Sequence, residues 1–268
     1  MKKNILLSFL LFITTSSVFS QKITGVLGAF PPELVLLRSK MENRKDTVIA
    51  KTLFSRGILN GKAIVLAQTG IGKVNAAITT TLMIEHFKPN EIVFSGIAGG
   101  IDPALSPGDI VIGTQVTYHD YGAIEDSGMI YTPTKNPYDM AENPIVFNCD
   151  SILIQKAISV SKRLTFEKVK RENGSFSPSI SRGVVVTGDV FVASEIATQR
   201  LRKDLNAAVT EMEGAAIAQT CYQQNVPLLI IRSLSDNANK KASADVKNFY
   251  KIAAENAAIM VIGIVGEI

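Results

Sequence analysis

The sequence predicts an α/β fold in which a largely parallel or mixed sheet is covered by helices on both faces. Continuous apolar, strand-like segments alternate with helical segments along most of the chain, which is typical of sheets buried on both sides. The chain has 268 residues, of which 46% are hydrophobic and 19% are charged. This composition excludes disordered and low-complexity proteins. Because no repeat or linker interrupts the pattern, we predict one domain over residues 21–268.

The N-terminus has the layout of a secretory signal peptide. Lys2 and Lys3 precede an apolar run over residues 5–13, and residues 18–20 place small or modest side chains before the expected cleavage point. The run is too short to span a bilayer, although a buried first strand or an uncleaved anchor would also be apolar. We predict a signal peptide over residues 1–20, cleavage before Gln21 and export to the periplasm or the medium.

Turn and helix-start signals separate the elements of the first half. Pro31-Pro32 is tolerated in a first helical turn, and Asn60-Gly61 is a strong hairpin signal. In order, we predict a strand over residues 22–28, a short helix from Pro31, paired strands over 51–58 and 63–68, a helix over 72–87, and a buried strand over 91–95 that runs into a glycine-rich turn over 96–100.

The second half begins with a β-branched strand over residues 109–119. Residues 120–149 are rich in Pro, Gly, Asn and Tyr, so we predict a long loop, and such loops are usually functional. There follow a helix over 150–164, a strand over 182–187, a helix capped by Ser194 and ending at 203, a strand over 208–212, a helix over 213–224, a buried strand over 227–233, a polar turn over 236–239 and a closing helix over 246–265.

The net charge and the number of cysteines and histidines limit which partners and metal sites the chain can have. The net charge of +4 falls to +2 once the two leader lysines are removed, so we predict no nucleic-acid partner. No later segment has the ~18 consecutive apolar residues of a membrane span, and we predict no membrane partner for the mature chain. Cys149 and Cys221 are interpreted as buried thiols rather than a disulfide framework. With two histidines in the chain, we predict no metal site of the histidine-rich kind.

The sequence GIGK at residues 70–73 comes close to a nucleotide-binding motif without completing one. Asn75 occupies the third glycine position of the dinucleotide fingerprint, and the next strand runs into Gly96 where an acid is expected. Lys73 is followed by Val74 rather than by Ser or Thr, which excludes a P-loop. We therefore predict no cofactor and interpret Lys73 as a solvated lysine early in a helix.

Carboxylates at strand ends are the strongest functional signal. Glu33 follows the first strand, Glu211 and Glu213 flank the start of a helix, and Asp236 follows the last strand. Ligands of open α/β sheets bind at the carboxyl ends of the strands. Any one of these acids could simply cap a helix or pair with a base. Together, beside a glycine-rich turn, they suggest an acid–base site without metal or nucleotide cofactor.

The acids lie in the segments GVLGAFPPELVLLR, QTGIGKVNAA, FSGIAGGIDPALSPGDIV, VTGDVFV, VTEMEGAAIAQTC and VPLLIIRSLSD, which together cover nearly all of residues 22–265. In this order they resemble the 5′-methylthioadenosine/S-adenosylhomocysteine nucleosidases of the purine nucleoside phosphorylase superfamily. The resemblance implies a three-layer α/β/α sandwich with a central twisted mixed β-sheet. It also implies a small-molecule nucleoside substrate and a homodimer whose active site borrows residues from the neighbouring subunit.

Carried over position by position, the resemblance implies roles for three catalytic acids. Glu33 matches the general base that activates water, Glu213 the carboxylate that binds the ribose hydroxyls, and Asp236 the acid that serves purine N7. N-glycoside hydrolysis needs acidic residues of these kinds for three tasks. The purine must be protonated, the positive charge on the sugar must be stabilised, and water must be delivered. An ionised Glu213 would favour the developing sugar cation.

The resemblance also implies a substrate-binding set. Phe191 matches the aromatic residue that stacks on the purine, the main chain of Val192 reads the base edge, Met212 packs on the sugar and Arg232 supports the site. The set is completed by Ile97, Ala98, Gly99, His119 and Glu211.

Three departures from the family pattern bear on the reaction. Ile97 stands where the family often has a hydroxyl residue, and Pro31-Pro32 replaces an acidic pair before Glu33. His119 and the segment after it also differ, and His119 is either a pocket residue or one that orders the loop. A phosphorylase needs arginines and hydroxyls around phosphate, and neither the GAFPPE turn nor Ile97 supplies them.

We therefore predict hydrolysis of adenine nucleosides such as 5′-methylthioadenosine or S-adenosylhomocysteine. A phosphate-dependent purine nucleoside phosphorylase, or a nucleosidase for other purine nucleosides, stays open as the alternative. A non-catalytic nucleoside-binding or storage protein is the alternative from another class.

Overall fold

The computed structural model describes residues 22–171 and 174–268 as a mixed sheet flanked by helices. The predicted signal peptide over residues 1–20 lies outside the described residues. The first elements are β1 (Ile23–Gly28), α1 (Pro31–Ser39), β2 (Glu42–Ile49), β3 (Thr52–Leu59), β4 (Lys62–Gln68), α2 (Lys73–Phe87), β5 (Glu91–Gly100), β6 (Ile110–Tyr118), β7 (Gly122–Glu125) and β8 (Gly128–Tyr131). The others are β9 (Val146–Asn148), α3 (Ser151–Ser161), β10 (Val169–Arg171), β11 (Gly174–Phe176), β12 (Ile180–Thr187), α4 (Glu195–Leu205), β13 (Ala207–Glu211), α5 (Gly214–Gln223), β14 (Leu228–Asp236) and α6 (Ala242–Glu267).

The main sheet is mixed, as predicted, and part of it closes on itself. Its strand order is β13-β12-β6-β14-β5-β1-β4-β3-β2, with β9 added to β6. β1 runs parallel to β4 and β5, β5 parallel to β14, and β12 parallel to β6 and β13, whereas β6 and β14 are antiparallel. β13 also pairs with the end of β5 through Val209 with Gly100 and Thr210 with Gly99. This pairing closes β5, β14, β6, β12 and β13 into a ring.

Helices cover the sheet in two layers. α1 and α3 both pack on α6, and α6 lies along β14 and β5, whereas α2 packs on α5, which covers β6 and β12. One buried apolar cluster extends from Val26 to Val265. α6 has 26 residues and an 18-residue window of mean hydropathy 1.4, so length and composition alone would let it cross a membrane. Half of that window is buried, which is typical of a core helix.

Local signals placed several boundaries correctly. β3 and β4 are joined by Asn60-Gly61, as predicted. Ser194 caps α4 through its hydroxyl oxygen, which accepts a hydrogen bond from Ala197 N at 3.4 Å. α1 begins at Pro31.

Three predictions about local structure were wrong. Residues 96–100 form the end of β5 rather than a turn, because β14 and β13 both pair with them. Residues 120–149 contain the β7–β8 hairpin and β9 rather than an uninterrupted loop. β2 was missed because its side chains are largely charged and exposed, and it is held only by its antiparallel pairing with β3.

Candidate active site

Glu33 lies in the first turn of α1, directly after β1. Its Oε1 accepts a hydrogen bond from Ile97 N at 2.9 Å, and its Oε2 accepts from Phe30 N at 3.3 Å and from Ala29 N. Glu33 is 2% exposed. Burial raises the pKa of Glu33 to about 7, against the opposing charge of Arg232 and the three N–H donors. The structure therefore brings Glu33 and Ile97 together, and Ile97 contributes its main chain.

Gly96 lets Glu33 and Arg232 approach each other. A Cβ on Gly96 would lie 2.7 Å from Glu33 Oε1 and 2.9 Å from Arg232 Nη1. Arg232 is buried, with its guanidinium carbon 3.8 Å from the centre of the Phe94 ring. Its Nη2 donates to Glu211 Oε2 at 2.8 Å. Arg232 is thus a buried cation that is bonded to Glu211 and lies close to Glu33.

Glu211 is saturated by donors from its surroundings. It accepts hydrogen bonds from Thr187 Oγ1, from Glu213 N at 3.1 Å, from Gly214 N at 2.8 and 2.9 Å, and from Arg232. These bonds satisfy the first N–H groups of α5, which carry the positive end of the helix dipole. The prediction that Glu211 binds substrate is not supported by this geometry, because its oxygens already serve the protein.

Glu213 precedes α5 and turns towards the start of α2. Its Oε1 accepts a hydrogen bond from Gly72 N at 2.9 Å. Burial, together with the neighbouring charge of Glu211, raises the pKa of Glu213 to about 8, against the hydrogen bond from Gly72 and the charge of Arg232. Met212, its neighbour in the chain, is half-buried. The carboxylates of Glu33, Glu211 and Glu213 and the guanidinium of Arg232 therefore form one group.

Asp236 ends β14 in register with Gly99 of β5. Its Oδ1 accepts a hydrogen bond from Ala238 N at 2.7 Å, and its Oδ2 accepts from Ser235 Oγ at 2.8 Å. Burial raises the pKa of Asp236 despite these donors. A Cβ on Gly99 would lie 2.9 Å from Oδ1, so this close approach requires glycine. Ala98 joins the same group, because its carbonyl oxygen lies 3.4 Å from Ser235 Oγ.

The segment after β12 lies beside Asp236. Val192 is buried in a small cluster with Ala238 and Ile101. Ser194 N donates to Ala238 O at 3.0 Å, which ties the segment to the residues that follow Asp236. Phe191 is 53% exposed. The structure thus brings Val192 close to the Asp236 segment and leaves the Phe191 ring partly open to solvent.

His119 follows β6 and packs between β6 and β12. Its backbone N–H donates to the backbone carbonyl of Thr187 at 2.8 Å. A Cβ on Gly188 would lie 2.6 Å from the imidazole Nε2. Nε2 is buried without a hydrogen-bond partner among the described residues. Burial lowers the pKa of His119, so the imidazole is neutral at neutral pH. This packing favours the alternative in which His119 orders its segment.

Lys73 was misjudged from the sequence. Its side chain is 22% exposed, and its Nζ lies 2.7 Å from both carboxylate oxygens of Asp120. The available signal was its position, because a lysine in the first turn of a helix opposes the helix dipole unless acids surround it. Thr187 and Ser235, which hold Glu211 and Asp236, were also missed, and their sequence carries no comparable signal.

Within residues 22–171 and 174–268, no group of three or more His, Cys, Asp or Glu side chains is arranged to hold a metal ion. The absence of a cofactor stays a prediction.

Comparison with known proteins identifies the family. The profile of the phosphorylase superfamily matches residues 23–266. The 5′-methylthioadenosine/S-adenosylhomocysteine nucleosidase of Psychromonas ingrahamii is 40% identical over 238 residues, which cover 88% of this chain and 95% of that protein. The chain belongs to this nucleosidase family.

Solved structures of nucleosidases agree with this assignment. The Neisseria meningitidis nucleosidase in complex with methylthio-immucillin-A has a TM-score of 0.79 and 37% identity, with 92% of this chain and 100% of that chain covered. The Colwellia psychrerythraea nucleosidase in complex with adenine has a TM-score of 0.79 and 32% identity, with 93% and 96% covered. The predicted α/β fold, a mixed sheet with flanking helices, is therefore confirmed as that of the nucleosidases.

Proposed function

We propose that the protein hydrolyses the N-glycosidic bond of adenine nucleosides such as 5′-methylthioadenosine or S-adenosylhomocysteine, releasing adenine and a ribose derivative. The observation that carries the proposal is the set of three buried acids, Glu33, Glu213 and Asp236, whose pKa values are all raised. Perturbed acids at the ends of sheet strands are typical of acid–base sites. The nucleoside analogue and the adenine bound to the two structural relatives support the same substrate class.

Asp236 is the proposed acid for purine N7. The leaving purine is a poor anion, so it must gain a proton as the bond to the sugar breaks. Burial raises the pKa of Asp236, which favours a protonated carboxyl at the moment of transfer. Ser235 and Ala238 fix both carboxyl oxygens, so that the acid is held in one orientation.

Glu33 is the proposed base for water. With a pKa of about 7, a large share of Glu33 is ionised at neutral pH and can take a proton. The backbone N–H groups of Ala29, Phe30 and Ile97 hold its carboxylate near Arg232 while water attacks the sugar carbon. A base whose pKa lies near the working pH is the efficient choice.

Glu213 is the proposed ligand of the ribose hydroxyls. The sequence predicted an ionised carboxylate, but a pKa of about 8 leaves it largely protonated at neutral pH in the free protein. A protonated Glu213 can donate to a ribose hydroxyl. When Glu213 releases this proton to solvent, the ionised carboxylate accepts from the ribose hydroxyls and stabilises the positive charge that develops on the sugar.

Hydrolysis is favoured over phosphorolysis because the cations near the site are already paired with carboxylates. Arg232 is bound to Glu211, and Lys73 is bound to Asp120. Ile97 offers its backbone N–H to Glu33 and has no hydroxyl. A phosphate nucleophile would need arginine forks and hydroxyls that are still available.

The decisive test is incubation of the purified protein with 5′-methylthioadenosine, S-adenosylhomocysteine and adenosine, with and without phosphate. We expect adenine and the free ribose derivative at the same rate in both buffers, measured by chromatography with mass detection. Strict phosphate dependence and a sugar 1-phosphate product would instead identify a phosphorylase. Tight binding without turnover would identify a nucleoside-binding protein.

We also propose that the protein is a homodimer. Apolar side chains lie exposed on or just before α2, on or just before the β7–β8 hairpin, and in the turn after β12, close in the chain to Lys73, Asp120 and Asp189. They are Ile71, Val74, Ile78, Tyr121, Ile124, Ile130 and Val190. An exposed patch of this kind is typical of a protein interface, and a partner seated on it could cover the half-exposed Phe191. Light scattering after gel filtration should give the mass of two chains.

Export is proposed from the N-terminal sequence. The signal-peptide layout over residues 1–20 and the start of the family match at residue 23 both support cleavage before Gln21. N-terminal sequencing of the protein recovered from the periplasm or medium of the expressing cells should begin at Gln21. An intact N-terminus in the cytoplasmic fraction would contradict export.

A further inference from the structure

The GIGK segment, which failed as a nucleotide motif, takes part in a cluster of charges outside the three proposed catalytic acids. Lys73 Nζ lies 2.7 Å from both oxygens of Asp120, and Lys73 N donates to Asp189 Oδ1 at 2.8 Å. Asp189 N in turn donates to Asp120 Oδ2 at 2.8 Å. The cluster joins the start of α2 to the residues that follow β6 and β12.

This cluster replaces the local cap of α2. The helix begins after Gly72, which has no side chain to accept a hydrogen bond. The first N–H groups are satisfied instead by Glu213 and Asp189, which are far away in sequence. Gly72 has φ +95°, and a Cβ there would lie 3.2 Å from Asp189 Oδ1. Lys73 opposes the helix dipole at this position, and the two aspartates offset that cost.

The cluster reaches both parts of the candidate site. Gly72, the residue before Lys73, donates its N–H to Glu213 Oε1 at 2.9 Å. Asp189 lies two residues before Phe191 and is fixed by Asp120 and Lys73. Displacement of the cluster would therefore shift the proposed ribose ligand and the proposed purine-stacking segment together.

We propose that Lys73, Asp120 and Asp189 form a clamp that positions Glu213 and the Phe191–Val192 segment on the same substrate. They are positioning residues, because they act through Gly72 and the chain after Asp189 rather than by touching substrate. The inference rests on the proposed nucleosidase function. Misplacement of a binding group by about 1 Å can cost on the order of 100-fold in rate, so the clamp should be visible in turnover.

The test compares Lys73→Met with two companions and a control. Lys73→Arg keeps the charge, and Asp120→Asn removes the charge on the other side of the pair with almost no change in shape. Lys88→Met is the matched control, since Lys88 lies at the opposite end of α2 and pairs with Glu85 at 3.2 Å on the surface. For each variant we would measure kcat and KM, the Kd for adenine by calorimetry, the melting temperature and the oligomeric mass.

We expect Lys73→Met and Asp120→Asn to lower kcat by about ten-fold to 100-fold and to weaken adenine binding, with oligomeric mass unchanged. Lys73→Arg should recover most of the lost rate, and Lys88→Met should match the wild type. If kcat per adenine-binding site and the Kd for adenine stay within about two-fold of wild type in Lys73→Met and Asp120→Asn, the proposed clamp is contradicted. A change in melting temperature would not alter that conclusion. If Lys73→Met does not fold, Asp120→Asn decides the question.

The two proposals fail separately in this design. A wild-type protein that turns over no adenine nucleoside would overturn the proposed function, while the adenine Kd values would still decide whether the cluster holds the purine-stacking segment. A wild-type enzyme whose kcat and adenine Kd are untouched by Lys73→Met and Asp120→Asn would overturn the clamp alone.

Discussion

Glu33, Glu213 and Asp236 are acids whose burial makes ionisation costly. Each has a higher pKa in the folded chain than its ordinary value, so the folded state holds these protons more tightly than the unfolded state does. Their contribution to stability is therefore largest at acid pH and is lost as pH rises through the folded pKa values. For Glu33 the window runs from about pH 4.5 to about pH 7. The same burial that equips the site for acid–base chemistry thus lowers stability at neutral pH.

Glu33→Gln should make stability less dependent on pH. Ionisation of Glu33 between its ordinary pKa and about 7 corresponds to on the order of 3 kcal/mol, and glutamine does not ionise. We expect the fall in melting temperature between about pH 5 and about pH 8 to shrink by several degrees, with nucleosidase turnover lost. Calorimetric melting at both pH values checks this, with the surface variant Glu85→Gln as control. Equal falls in Glu33→Gln and wild type would contradict the buried-acid account.

Asp236→Asn should reduce turnover of adenine nucleosides by about 100-fold or more, because general acid catalysis is typically worth that much. Asparagine keeps an oxygen for Ala238 N and a similar shape, so the fold and adenine binding should survive. Initial rates of adenine release and a binding titration separate the two effects. Asp204→Asn, which removes the acid of a surface pair with Arg200, should leave the rate unchanged. Wild-type turnover in Asp236→Asn would remove Asp236 from the mechanism.

Activity should follow a bell-shaped pH profile. Glu33 must be ionised to accept a proton, so kcat/KM should rise as pH increases through about 7. Asp236 must be protonated to act as acid, so its ionisation lowers the rate, and burial, which raises its pKa, moves that loss to higher pH. The charge of Arg232 acts on Glu33. The charges of Glu211 and Arg232 both act on Glu213. A rate that declines steadily from acid to neutral pH would contradict the assignment of Glu33 as base.

At the scale of elements, the glycine-rich end of β5 is important because Glu33, Arg232 and Asp236 pack against it. Gly96→Ala should bring a Cβ within 3 Å of both Glu33 Oε1 and Arg232 Nη1, and neither group can move far, since both are buried and hydrogen-bonded. We expect turnover to fall by about ten-fold or more, together with a loss of about 1–3 kcal/mol of unfolding free energy from overpacking. Kinetics and denaturant unfolding check the two parts, and full activity would show that Glu33 has more freedom than its contacts indicate.

Local sequence predicted the elements better than it predicted their pairing. Apolar runs, Pro31-Pro32 and Asn60-Gly61 located most strands and helix starts, because these signals act over a few residues. The strand character of residues 96–100 comes from β13 and β14, which are more than one hundred residues away, so composition alone suggested a turn. The acids were found from their positions after strands, whereas the cluster around Lys73 depends on contacts between distant segments and was missed.

At the scale of the whole molecule, the candidate site and the proposed dimer surface meet around one cluster. Lys73 and Asp120 are close in the chain to the exposed apolar residues of α2 and of the β7–β8 hairpin. They connect to Glu213 through Gly72 and to the Phe191 segment through Asp189. A subunit seated on the proposed surface would therefore contact residues next to those that hold the site, and we expect dimer formation and turnover to depend on each other.

Ile78→Glu tests that coupling, because Ile78 lies exposed on α2 within the apolar surface. A charge placed in an apolar interface is costly to bury, so we expect a shift from two chains to one in light scattering. Turnover should fall by about ten-fold or more in the monomer, since misplaced binding groups are expensive in rate. Val35→Glu, at an apolar position on α1 in the other layer that is even more exposed than Ile78, should stay dimeric and active. A monomeric Ile78→Glu protein with wild-type turnover would show that one chain carries the complete site.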